Sequence, residues 1–316
     1  MENVPSLQDL RDAHERIKPF VHRTPVFHSE LIDQAAGTSV FFKCENLQKV
    51  GAFKMRGATN AVLCLSDAQR SSGVATHSSG NHAQALAKAA KIVGCQAFIV
   101  MPETAPKVKV NAVKAYGAEI IFCAPTLQAR EDTLKEVQER TGAAFIHPFD
   151  DYRVIAGQAT AALELMEEIK DLDIFMTPVG GGGLLAGTAL AVHYLQPQSQ
   201  VMAGEPSGAD DAYRSLQTGE IQPSVNPDTI ADGLLTSLST KTFGIIKQYV
   251  SRIITVDDQE IKQAMRLLWE RMKIVVEPSG AVPLAAVLQQ PQLFAGKPIG
   301  IIISGGNVDL DQFSFR

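Results

Sequence analysis

Short apolar runs rich in Val, Ile and Phe alternate along the chain with longer stretches in which apolar positions recur at helical spacing. The first kind reads as strand and the second as amphipathic helix. The strand runs are "SVFFKCE", "GVATHSS", "AFIVMP", "EIIFCA", "AAFIHPFDD", "IFMTPVG", "SQVMAGE" and "GKPIGIIIS". Between them lie a helix from about Arg56 through "GATNAVLCL", then "GNHAQALAKAAKIVG" closed by Gly94 and "APKVKVNAVKAYG" closed by Gly117. "TLQAREDTLKEVQERTG", "IAGQATAALELMEEI" and "GGLLAGTALAVHYL" follow as further helices. Unbroken β-branched runs suit parallel strands buried on both faces, so the pattern predicts an α/β fold with two sheets or one very large one. The tight strand–helix units that begin near residue 73 predict a small domain, 67–150, inserted in a large one made of 1–66 and 151–316.

Composition narrows this picture. The 316 residues are 45% hydrophobic and 20% charged, enough for an ordinary globular core. A net charge of -5 argues against a nucleic-acid surface, which is usually basic. Cys44, Cys64, Cys95 and Cys123 are scattered with no CxxC pair, and "MENVPSLQDLRDAHERIK" has no apolar signal-peptide core, so a reduced, cytoplasmic setting is expected. The uncharged stretch 174–192 has the length of a membrane span, but Pro178 and four consecutive glycines inside it read as strand, turn and helix instead.

Ligands of open α/β sheets bind at the carboxyl ends of strands. Gly180, Gly181, Gly182 and Gly183 follow one strand and open a helix, where backbone N–H groups and the helix N-terminus suit a phosphate. Gly181, Gly183 and Ala186 also fit a dinucleotide fingerprint with Glu205 at the next strand end, and a plain tight turn is the third reading. Ser78, Ser79 and Asn81 are donors at another helix start, where Ser and Asn are also ordinary caps. Ser304 ends a buried strand before two glycines. Glu205, Asp210 and Asp211 lie within seven residues, as a hard-cation site or a solvated acidic loop. In "GAFKMRGA", Lys54 sits among small residues beside Phe53, either as a desolvated nucleophilic amine or as a salt-bridged lysine. A phosphate cradle, a Schiff-base lysine and a serine at a strand end are together what pyridoxal phosphate needs.

"GAFKMRGATNA", "THSSGNHAQAL", "VGGGGLLAG", "EPSGADD", "IADG" and "SGGNVDL", in order and spacing, resemble the serine racemase and serine/threonine dehydratase family of fold type II pyridoxal-phosphate enzymes. The resemblance implies two open, twisted, mostly parallel sheets flanked by helices, as in the tryptophan synthase β fold. It implies Lys54 as the Schiff-base lysine and α-proton base, Phe53 against the pyridine ring, Asn81 on the ring hydroxyl and Ser304 on the ring nitrogen. Gly180, Gly181, Gly182, Gly183 and Leu184 would hold the phosphate. Ser78, Ser79, Asn81 and His82 would hold the substrate carboxylate, with Ser79 the second acid/base on the face opposite Lys54. Glu205, the Ala209 carbonyl and Asp211 match a site for Mg²⁺, Mn²⁺ or Ca²⁺. The implied activity is dehydration of L-serine or L-threonine to a 2-oxo acid and ammonia, with serine racemisation where Ser79 reprotonates, in a homodimer. Arg130 on the "TLQARED" helix, with Thr236 nearby, would instead favour threo-3-hydroxyaspartate by pairing its second carboxylate. A nicotinamide-binding Rossmann oxidoreductase is the remaining alternative; it leaves Lys54 and Ser304 unexplained. Ala52 and Ala83 depart from the family's usual Ser and Gly, and "HPFDD" departs from the mammalian racemases, so no nucleotide effector site is carried over.

Overall fold

The structure, a computed structural model, describes residues 3–310. Among these, ten strands form two sheets. The strands are β1 (Val26–His28), β2 (Val40–Cys44), β3 (Val74–His77), β4 (Ala97–Pro102), β5 (Glu119–Cys123) and β6 (Ala144–Phe145), then β7 (Ile174–Pro178), β8 (Gln200–Pro206), β9 (Arg252–Val256) and β10 (Ile299–Ile303). The larger sheet has the order β1-β2-β10-β7-β8-β9, parallel except for β1. The smaller is β5-β4-β3-β6, parallel throughout. The two-sheet α/β expectation holds. β1 and β9 carry no long apolar run to announce them, and β1 is three residues with two exposed.

Successive side chains of a strand face opposite ways, and the cores follow that rule. In the larger sheet Phe175 and Ile302 enter one core, while Ile174, Met176, Ile301 and Ile303 enter the other. The helices Tyr152–Glu168 and Gly183–Leu195 cover the first face; Asp258–Met272 and Pro278–Gln289 cover the second. In the smaller sheet Ile99 and Met101 part from Phe98 and Val100 in the same way. The stretch 174–192 is β7, the glycine turn and part of a buried helix, and no described helix is long and apolar enough to cross a membrane.

The helix Lys54–Leu63 starts two residues before the sequence pattern suggests, which puts Lys54 in its first turn. Its small residues serve a close helix crossing. A Cβ on Gly57 would stand 2.3 Å from Gln158 Nε2, and one on Gly157 would stand 2.6 Å from the Gly57 Cα. Beside this crossing lies a buried charge network. Arg56 is fully buried; its Nε donates to Glu45 Oε2 at 2.7 Å and its Nη1 to Glu164 Oε1 at 2.8 Å. Lys43 Nζ completes the set at 2.7 Å from Glu164 Oε2. Burial alone would raise the Glu164 carboxyl, but Arg56 and Lys43 outweigh it and hold the group below its ordinary range.

Candidate active site

The Lys54 turn is fastened to the end of the central strand β10. Gly51 adopts φ +68°, Ala52 bridges to Gly305, and the Phe53 N–H donates to the Ser304 carbonyl at 3.0 Å. Lys54 Nζ then lies 5.1 Å from the centroid of the Phe53 ring and donates to the Pro148 carbonyl at 3.0 Å. Burial lowers its pKa to about 8, against an upward pull from the Glu277 carboxylate. Ser304 is itself buried, and its Oγ has no hydrogen-bond partner. A buried hydroxyl left unpaired is costly unless something else completes it.

The glycine loop lies between walls that leave no room for side chains. A Cβ on Gly181 would fall 2.3 Å from the Phe149 ring, and one on Gly180 would fall 2.9 Å from the Leu234 Cα. Gly182 has φ +85° and caps the helix Gly183–Leu195 without any side-chain hydrogen bond. The N-terminal amides of that helix, with Leu184 buried in its first turn, therefore remain free of side-chain caps. Thr236 is exposed on the loop between Leu234 and Leu238, which wall Gly180 and Gly182.

The helix Asn81–Val93 likewise starts without a side-chain cap, after Gly80. Ser78 and Ser79 are half-buried at this turn, and Ser78 Oγ accepts from the Gly80 N–H at 3.3 Å. Asn81 Nδ2 donates to Glu277 Oε1 at 3.0 Å. His82 is buried with Nε2 3.0 Å from the Ile146 carbonyl, so that nitrogen carries the proton and Nδ1 has no partner. Burial, then the charge of Lys54, push its pKa down to about 3, so the ring stays neutral. Its ring is thus committed to the protein, and its backbone N–H is what it offers at the helix start.

The remaining candidates stand on other elements. Arg130 turns its Nε back to the Thr126 carbonyl of its own helix at 3.3 Å, and its charge reaches His77 at the end of β3. Glu205 is buried and accepts from the Ala212 and Tyr213 N–H groups at 2.8 and 2.7 Å. Burial raises Glu205 to about 8 and Asp211 to about 6. Ala209 is buried between them in a 3₁₀ turn. Among the described residues no three His, Cys, Asp or Glu side chains gather around one metal position.

Sequence reasoning misses Glu277, and gives Pro148 and Phe149 of the strand-end loop "HPFDD" no individual role. Glu277 is a single carboxylate between "IVV" and "PSGAV", and an isolated charge in an apolar run is the signal that could find it. Pro148 acts through a backbone carbonyl, which no residue type advertises.

Known proteins share this fold. The profile of the pyridoxal-phosphate dependent enzyme family matches residues 17–305. A β-hydroxyaspartate dehydratase of Paracoccus denitrificans is 51% identical over 313 residues, covering 99% of both chains. The crystal structure of serine racemase from Dictyostelium discoideum superposes with a TM-score of 0.94 at 52% identity, over 98% of this chain and 100% of that one. The crystal structure of a T.th. threonine deaminase gives 0.92 at 46%, over 98% and 100%. The dinucleotide reading of the glycine loop is thereby set aside. The two-sheet architecture is that of fold type II, and this chain belongs to the pyridoxal-phosphate dependent enzymes.

Proposed function

We propose that this enzyme dehydrates small β-hydroxy amino acids, L-serine or L-threonine, to a 2-oxo acid and ammonia, with serine racemisation as a side activity. The observation that carries this is Lys54, whose enclosed amine with a pKa of about 8 is poised to act as a base near neutrality. The residues around it fit pyridoxal phosphate. A buried Ser304 Oγ lacks a partner, an uncapped helix start lies behind glycines too crowded for any Cβ, and Phe53 offers a ring face beside Lys54.

Pyridoxal phosphate, when bound here, would supply an electron sink for the pair released at the substrate Cα. We assign its phosphate to the amides of Gly180, Gly181, Gly182, Gly183 and Leu184, its ring oxygen to Asn81 and its ring nitrogen to Ser304. A hydroxyl there, unlike a carboxylate, does not favour a protonated ring nitrogen, which suits elimination with a ready leaving group. Ser78, Ser79, Asn81 and the His82 amide hold the substrate carboxylate. Lys54 would remove the α-proton and hand it to the departing β-hydroxyl, which leaves as water as the C–O bond breaks. The released enamine tautomerises and takes up one water, yielding the 2-oxo acid and ammonia. Ser79 returns a proton from the opposite face when racemisation occurs.

We further read the two sheets as the cores of domains 67–150 and 1–66 with 151–316. Glu205, the Ala209 carbonyl and Asp211 are assigned to a divalent cation such as Mg²⁺, Mn²⁺ or Ca²⁺. The support is two buried carboxyls whose raised pKa values a bound cation would reverse. A cytoplasmic homodimer is the expected form. The second reading, 3-hydroxyaspartate as substrate, is favoured by Arg130, which stands near His77 just before Ser78 and Ser79 and with Thr236 would contact the distal carboxylate. It agrees with the activity named for the Paracoccus relative.

A panel of L-serine, D-serine, L-threonine and the hydroxyaspartate diastereomers, scored for 2-oxo acid, ammonia and enantiomer, tests both readings. Turnover of none of them overturns the proposal. Preference for hydroxyaspartate that vanishes in Arg130→Ala selects the second.

A further inference from the structure

Glu277 caps no helix amide, although it precedes the helix Pro278–Gln289 as its N-cap residue. Its side chain instead points at Asn81, 196 positions away in sequence, and Asn81 Nδ2 donates to Oε1 at 3.0 Å and Oε2 at 3.2 Å. The Asn307 backbone N–H donates to Oε2 at 3.1 Å. Asn307 then closes a ring, because its Nδ2 donates both to Asn81 Oδ1 at 2.9 Å and to the Val50 carbonyl at 2.7 Å.

The chemistry of these groups permits one orientation only. The Val50 carbonyl accepts and cannot donate, so the Asn307 atom facing it must be nitrogen. That nitrogen also faces Asn81, so the Asn81 atom beside it must be oxygen. The other end of the Asn81 amide is then nitrogen, which is what an ionised carboxylate requires. Asn81 Nδ2 carries two N–H groups, so it can serve the Glu277 carboxylate with one and a ligand with the other. The fold makes room for this clamp: a Cβ on Gly305 would lie 2.6 Å from Glu277 Oε1.

We propose that Glu277 is a positioning residue for this site: with Asn307 it fixes the Asn81 amide nitrogen-forward, and through Asn81 it sets how the cofactor's ring oxygen is hydrogen-bonded. This rests on the assignment of Asn81 to the ring oxygen made above. A buried carboxylate is costly, and this one is 4% exposed. The charged groups that face it are Lys54, Asp232 and Lys109, the last two paired with each other at 2.6 Å. Burial raises Glu277 to about 7, with the Asn81 bond acting in the opposite sense. The charge of Glu277 also bears on Lys54 directly, so a test must separate the two routes.

Holoenzymes of wild type, Glu277→Gln, Asn81→Ala and the double variant are compared for pyridoxal 5′-phosphate affinity and for the visible absorbance maximum of the bound cofactor. A glutamine keeps the shape but presents one donor, so one of the two N–H groups loses its acceptor. Glu277→Gln is expected to weaken cofactor binding about tenfold and to move the absorbance maximum in the direction Asn81→Ala moves it. On the Asn81→Ala background it is expected to change neither. Should Glu277→Gln misfold, Asn307→Ser removes the side-chain donor to Asn81 Oδ1 and to the Val50 carbonyl, keeps the backbone N–H on Glu277, and is expected to shift the spectrum the same way. Wild-type spectrum and affinity in Glu277→Gln and Asn307→Ser, beside a shifted Asn81→Ala, overturns the inference alone. So does an undiminished effect of Glu277→Gln on the Asn81→Ala background, which would assign its action to Lys54. A wild-type Asn81→Ala overturns the assignment of Asn81 itself.

Discussion

The backbone N–H of Phe53 donates to the carbonyl of Ser304 at 3.0 Å. Positions far apart in the chain are thereby joined by one backbone hydrogen bond, so the Lys54 turn is anchored at the strand end that carries Ser304. The two residues' main chains are held in register by this bond. Lys54→Ala is thus expected to leave Tm within a few degrees while lowering kcat by at least about 10³-fold, as removal of a general base does. Dehydratase assays beside thermal melts check this, and full turnover in the variant would sink the mechanism.

The protonation of the same amine sets a pH profile. The base must be neutral, and its pKa is lowered to about 8. The rate therefore rises with pH on the acid side and levels off above about 8, as a profile of kcat at saturating substrate from pH 6 to 10 would record.

Arg56 is expected to matter for stability. Replacing it with Met leaves Glu45 and Glu164 buried with only Lys43 as a close cation. A loss of about 3–5 kcal/mol is expected from urea melts, in line with other broken buried pairs. The Glu164 carboxyl is depressed in the folded state, so its contribution is complete above its ordinary 4.5 and disappears as pH falls through the lower folded value. Acid melts of wild type should show that loss, and Glu164→Gln should flatten it.

At the glycine crossing, Gly57→Ala puts a methyl 2.3 Å from Gln158 Nε2 and 2.8 Å from the Val154 carbonyl. The helix bearing Lys54 has to shift away. About 1–3 kcal/mol of stability is expected to go with it, together with a fall in kcat, whereas Gly37→Ala meets no atom within 4 Å and costs only its positive φ.

The proposed cation is tested by chelation. EDTA is expected to lower Tm by a few degrees, and excess Mg²⁺ to restore it, because a ligand of the folded state alone stabilises by mass action. Asp211→Asn should melt at the same temperature with and without EDTA.

Lys54, the glycine loop and Ser304 were legible because each is a compact motif at the end of an apolar run. Asn81 was legible for the same reason, at a glycine turn after β3. Glu277 was not, since its meaning depends on an amide 196 positions away. Arg56 stands two residues from Lys54 and looks the same from local pattern, a cation among small neighbours. Only its partners at 45 and 164 separate the structural cation from the chemical one. The small residues around both read equally well as space for a ligand, yet Gly57 answers to a neighbouring helix.

The position of β10 in its sheet bears on how the protein is made. Its neighbours β2 and β7 are synthesised long before it, and it pairs with both of them. The smaller sheet draws all its strands from Val74 to Phe145 and can assemble while the ribosome is still at work. The larger sheet keeps an open slot at its centre until the last strand emerges. Ser304 arrives with that strand, so a nascent chain holds Lys54 and the glycine loop well before the main-chain bond that ties the Lys54 turn to Ser304 can form.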